Sequence, residues 1–124
     1  MRFNKLRISQ EATGRLRFLR QRTGLTPNLL CRIAIMLSLE EGPSPAPSPD
    51  DHGQEFNAYT LTGEYHELIA TLLRFVEEEG AVAPELIGND RLIELLKAHI
   101  HRGVGSLAVR AKSTAELGRL AIAA

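Results

Sequence analysis

The chain has 124 residues, 44% of them hydrophobic and 24% charged, which suits one compact core and leaves no room for several independent domains. Its single cysteine, Cys31, excludes an intrachain disulfide framework, and no apolar run approaches the ~20 residues of a membrane span. With no signal-like N-terminus either, the expectation is a soluble cytoplasmic protein without a membrane partner. The net charge of zero hides a division: residues 1 to 39 hold eight basic residues against Glu11 alone, or +7, and the remainder holds seven basic and fourteen acidic residues, or −7. Such asymmetry points the N-terminal part at a polyanion and leaves the rest to solvent or to other proteins.

In chain order, Asn4 to Ile8 alternates polar and apolar, the period of a half-buried strand, with Leu6 and Ile8 inward and Phe3, Lys5 and Arg7 outward. Ser9 can cap a helix over Gln10 to Thr23, on which Ala12, Leu16, Leu19 and Thr23 share one face. Arg17 and Arg20 flank one side of that stripe, Arg15 and Arg22 the other. Gly24 suits the left-handed position that closes such a helix. Thr26 and Pro27 then open a second helix as cap and first residue. From Leu29 to Leu39 only Arg32 and Ser38 interrupt the apolar run, so this helix expects neighbours on nearly every side, some of them from another subunit.

Strand, helix, glycine turn and apolar helix in succession resemble the ribbon-helix-helix family of DNA-binding proteins. Gly24, Thr26, Asn28, Leu30, Arg32, Ala34 and Ile35 stand where that family has Gly, Ser/Thr, a small polar residue, Leu, Arg, Ala and an aliphatic residue. The resemblance implies that two chains pair their strands into an antiparallel ribbon for the major groove, with Lys5 and Arg7 facing base edges. It also implies a backbone phosphate near Thr26 and Asn28, at the start of the second helix. Leu29 and Ile33 depart from the family, being apolar where it is usually polar.

Residues 42 to 57 read as a linker, with proline at every second position from Pro43 to Pro49, semi-rigid and extended. Thr60 or Thr62 can cap a helix to about Glu79, whose stripe is Leu61, Tyr65, Leu68, Ile69, Leu72, Phe75 and Val76, with Glu77 to Glu79 as a solvated end. After Pro84, Asn89 or Asp90 caps another helix to about Arg102, with Leu92, Ile93, Leu96 and Ile100 inward and Gly103 as its stop. A last short helix is expected from Ser113 through Leu120.

His99 and His101 are two apart, some 200° round a helix, and cannot share a metal as an i, i+4 pair could. The simplest reading packs one histidine beside Arg102, and the alternative is a phosphate contact from His101 and Arg102. Asp50, Asp51 and Glu55 are the only carboxylates that suggest a Mg²⁺ site, and they lie on the linker without preorganisation. Cys31 sits in the apolar helix, where a thiol is a small core residue. No catalytic residue, cofactor or metal is therefore expected.

The Leu30-Cys31-Arg32-x-Ala34 helix, the Pro-rich break after Ser38-Leu39-Glu40, and the His101-Arg102-Gly103 segment following a helix together resemble the DndE family of DNA sulfur-modification proteins, over most of the chain. That resemblance implies a non-enzymatic, or at most weakly DNA-nicking, DNA-binding subunit, favouring nicked duplexes and working with a sulfurtransferase-like subunit and an ATPase to place sulfur in the DNA backbone.

The expected protein is mainly α: a ribbon-helix-helix-like DNA-binding part over residues 1–41, a linker over 42–57, and a helical part over 58–124 packed on the first. The candidate DNA surface comprises Lys5, Arg7, Arg15, Arg17, Arg20, Arg22, Thr26, Asn28, His101 and Arg102. Leu29, Ile33, Met36 and Leu37 form the candidate interface of a homo-oligomer, a tetramer ahead of a dimer, because the proline spacer limits how closely the C-terminal helices can cover that helix. The rival readings are an autonomous ribbon-helix-helix repressor or antitoxin, and a DNA-nicking endonuclease.

Overall fold

The computed structural model describes residues 1–43, 46–79 and 87–111. The elements run β1 (Lys5–Arg7), α1 (Gln10–Thr23), α2 (Pro27–Glu41), β2 (Glu55–Asn57), α3 (Ala58–Leu61), a 3-10 turn (Gly63–Tyr65), α4 (His66–Glu79) and α5 (Asn89–Arg110). The protein is thus mainly α with one short two-stranded ribbon.

The first two helices follow the local chemistry of their ends. Ser9 Oγ accepts the Ala12 N–H at 3.1 Å to start α1, and Gly24 closes it at φ 73° with its N–H on Arg20 O. Thr26 Oγ1 accepts the Leu29 N–H at 3.3 Å, and Pro27 opens α2. Ala12, Leu16 and Leu19 are buried as their spacing requires, with Thr13 beside them.

The ribbon differs from the family pattern. β1 pairs antiparallel with β2 of the same chain, in the register Lys5↔Asn57, Leu6↔Phe56, Arg7↔Glu55. The strand expected to await a second subunit is thus satisfied on that edge by three residues assigned to the linker. Phe56 gave no periodic signal because a strand this short shows a single inward residue, and that residue packs with Leu6 in the core. Phe3, expected to face outward, is half-buried with its ring 5.9 Å from that of His66.

α5 is longer than expected. It starts after Gly88, because the Asn89 side chain is drawn to the backbone of Arg2, where Oδ1 accepts the Arg2 N–H and Nδ2 donates to the Arg2 carbonyl. It then runs through Gly103 to Arg110. Gly103 is a contact residue rather than a stop: a Cβ there would lie 1.9 Å from the Ala34 carbonyl oxygen. α2 and α5 therefore touch backbone to backbone, and the spacer permits an intimate fold-back rather than limiting it. Leu30, Cys31, Ala34, Ile35 and Ser38 of α2 and Leu92, Leu96 and Ile100 of α5 are fully buried in one cluster with α1, the ribbon and α4.

The long helix expected before Glu79 is broken into α3, the 3-10 turn and α4. Its apolar stripe is wider than its buried face: Ile69 and Leu73 are buried, while Tyr65, Leu68 and Phe75 are exposed. The helix expected from Ser113 lies outside the described residues. Among the described residues, no helix is long and apolar enough to cross a membrane.

Candidate nucleic-acid interface

The basic residues of the first half sort by what already holds them. Lys5 and Arg7 extend from the outer face of the ribbon, and both reach Glu55, at 3.4 Å and 3.1 Å. Arg7 and Glu55 are directly opposed cross-strand neighbours, the pairing a sheet favours. Arg15 is paired with Glu11 one turn earlier at 2.8 Å. Arg22 lies over the Phe18 ring, 4.7 Å from its centroid. Arg32 is turned inward, donating to the carbonyls of Leu61 and Thr60 at 2.8 Å each and so tying α2 to α3. The guanidinium groups of Arg17 and Arg20, on the exposed flank of α1, make no hydrogen bond or ion pair among the described residues. At the start of α2, Thr26 is exposed and serves as the cap, and the Asn28 side-chain oxygen is buried without a hydrogen-bond partner.

His101 and Arg102 are employed by the fold. Ser9 Oγ lies 2.6 Å from His101 Nδ1. That oxygen also accepts the Ala12 N–H, and His101 Nε2 faces Glu11, 3.7 Å away. The Arg102 guanidinium gathers the open end of α2, donating to Ser38 O at 2.7 Å, Pro43 O at 2.9 Å and Gly42 O, with Glu41 3.3 Å away. Ser38 O is one of the carbonyls a helix C-terminus leaves unpaired, Gly42 and Pro43 follow directly after it, and a cation there also suits the dipole. Arg102 thus closes the end of α2, and the packed-histidine reading applies to His99.

His99 is fully buried. Ser38 Oγ, which accepts Arg102 Nε–H at 2.9 Å, donates its own proton to His99 Nδ1 at 2.7 Å. His99 Nε2–H in turn donates to Glu77 at 2.6 Å. Burial holds the ring below its ordinary pKa of 6.5, and the Glu77 carboxylate opposes that shift. The chain of serine, histidine and carboxylate is closed to substrate, since Ser38 is itself fully buried and its oxygen engaged. It fastens α2, α4 and α5 together. Glu77, expected on a solvated end, is its inner member.

Of the three linker carboxylates, Asp51 lies 3.7 Å from His52 Nε2, and the other two are engaged elsewhere. Asp50 accepts the N–H groups of Gln10 and His52 at 3.0 Å each, which hold its carboxyl below the usual range. Glu55 is committed to Lys5 and Arg7. Among the described residues no three His, Cys, Asp or Glu side chains converge as metal ligands. Burial pushes the Cys31 thiol up to about 12, so it is inert as a nucleophile at neutral pH.

The family model of DNA sulphur modification protein DndE matches residues 5–115. The chain belongs to the DndE family. Its backbone is similar to the crystal structure of DndE from Escherichia coli B7A, a protein involved in DNA phosphorothioation modification: TM-score 0.68 and 27% identity, over 86% of this chain and 99% of that one. The structure of a glycine-to-lysine mutant of DndE shares the fold at TM-score 0.66 and 24% identity, over 86% of this chain and 97% of that one. Among curated proteins, none matches. In this DndE-family chain the sequence alone showed Glu55 only as a linker carboxylate and Glu77 only as part of a solvated helix end, and so missed the partners that each holds.

Proposed function

We propose that the chain is the DNA-binding subunit of a phosphorothioation system, itself without catalytic activity, which binds duplex DNA, favouring nicked duplexes, through the outer face of α1. The observation that carries this reading is the sorting of the cations. Lys5 and Arg7 share Glu55 and Arg15 is paired with Glu11, whereas Arg17 and Arg20 stand exposed on one helix face with no acidic partner among the described residues. Free arginines spaced along a helix suit phosphates in either strand without selecting a sequence. The chain works with sulfurtransferase-like and ATPase subunits, which supply the sulfur chemistry, and assembles as a homo-oligomer, a tetramer ahead of a dimer, so that several α1 faces meet one duplex.

Reading the ribbon as a groove-entering element of a repressor loses support, because β1 is paired within its own chain and Lys5 and Arg7 face Glu55. Titrating a labelled duplex tests the proposal. Arg17→Glu with Arg20→Glu weakens binding at least tenfold by reversing the local charge, whereas Lys5→Ala with Arg7→Ala has a smaller effect. Equal losses from the two pairs would contradict it. Supercoiled plasmid incubated with the protein and Mg²⁺ or Mn²⁺ remains supercoiled; nicking that follows the purified protein and disappears with Asp51→Ala would establish the endonuclease reading instead.

A further inference from the structure

We infer that Phe18 is a stacking platform for a nucleobase that is unpaired or has lost a neighbour, an inference that rests on reading α1 as the DNA-binding helix. Phe18 is the one apolar side chain of α1 left exposed, at 42%, while Ala12, Leu16 and Leu19 are buried. Side chains on a helix lean toward its N-terminus, so Arg22 rests on Phe18 and Phe18 leans over the turn that holds Gly14. The Arg22 guanidinium carbon lies 4.7 Å from the ring centroid. On the other side the surface is open, since a Cβ on Gly14 would meet nothing within 4 Å. Residues 14, 18 and 22 therefore form a ladder along the helix: an open step, a phenyl ring and a guanidinium. A planar base entering above Gly14 completes a stack of base, ring and cation, with Arg17 beside it for the adjoining phosphate.

The charge around the ring selects the occupant. A second copy of this chain docked face to face would bring its own Arg17, Arg20 and Arg22 against these, whereas a nucleic acid brings phosphates. An intact double helix offers no base face, because each is covered by its neighbours. The platform is therefore used only where a base is unpaired or the stack is interrupted, and aromatic stacking there is indifferent to sequence.

The test uses the full chain with two labelled duplexes, one intact and one carrying a single unpaired 2-aminopurine. Phe18→Ala lowers affinity for the second by about tenfold, the effect of one base–aromatic stack, and leaves the intact duplex unchanged. Phe18→Trp keeps the difference, and 2-aminopurine fluorescence is quenched by the wild-type protein but not by Phe18→Ala. Equal effects of Phe18→Ala on both duplexes, or on neither, would overturn the inference. So would a fall in particle mass by light scattering in Phe18→Ala, which would assign the ring to a subunit contact. Arg17→Ala with Arg20→Ala separates the two levels. If that variant binds the intact duplex as well as wild type, α1 is not the DNA-binding helix and both readings fall; if it binds weakly while Phe18→Ala behaves as wild type, only the stacking site is removed.

Discussion

At position 99 a histidine is kept neutral inside the protein, and its depressed pKa has a definite sign in stability. The unfolded chain takes up a proton as the pH falls through about 6.5, and the folded chain resists, so stability is fully present above that value and declines below it. The denaturant midpoint is accordingly lower at pH 5.5 than at pH 7.5, and His99→Gln reduces the difference; a wild-type midpoint insensitive to this interval would contradict the arrangement. Gly103 is equally specific: with the Ala34 oxygen 1.9 Å from where a Cβ would stand, Gly103→Ala forces α5 off α2. It costs about 2 kcal/mol, roughly 10 °C in Tm for a chain of this size, measurable by calorimetry. An unchanged Tm would show that the two helices are not in backbone contact. The histidine cluster was visible in the sequence as a packed site, but its partners were not, because Ser38 and Glu77 lie 61 and 22 residues away.

Among the elements, α1 and the start of α2 were readable to the residue, since Ser9, Gly24, Thr26 and Pro27 act locally on their own helix ends. β2 and the full length of α5 were not, because both depend on distant partners: Leu6 opposite Phe56, and Ala34 against Gly103. Arg102 belongs at this scale, as the side chain that closes the C-terminus of α2. Arg102→Met leaves the Ser38 carbonyl and hydroxyl and the Gly42 carbonyl without their donor and costs about 2 kcal/mol in chemical denaturation. The folded fraction of that variant still binds duplex DNA with wild-type affinity. A stable Arg102→Met protein with weakened DNA binding would restore the phosphate role and remove the capping one.

For the whole molecule, α5 covers the side of α2 that carries Leu30, Cys31 and Ala34, yet Leu29 and Met36 remain 40% and 36% exposed and Ile33 and Leu37 half-buried. On the oligomeric reading proposed above, that stripe is the surface a second copy would bury. Light scattering on Leu29→Glu with Met36→Glu is expected to give a smaller particle than wild type, with weaker DNA binding through lost multivalency; a wild-type monomer at micromolar concentration would show that the stripe is left to solvent. The division of charge was legible from the first forty residues, whereas which arginines are unspent required the positions of Glu11 and Glu55. The salt dependence of duplex binding tests that point most directly. Wild-type affinity is expected to fall by roughly 10³-fold between 50 and 200 mM salt if an oligomer makes about six phosphate contacts, and Arg17→Ala with Arg20→Ala flattens the slope. A double variant with the wild-type slope would place the DNA on another surface and contradict the account.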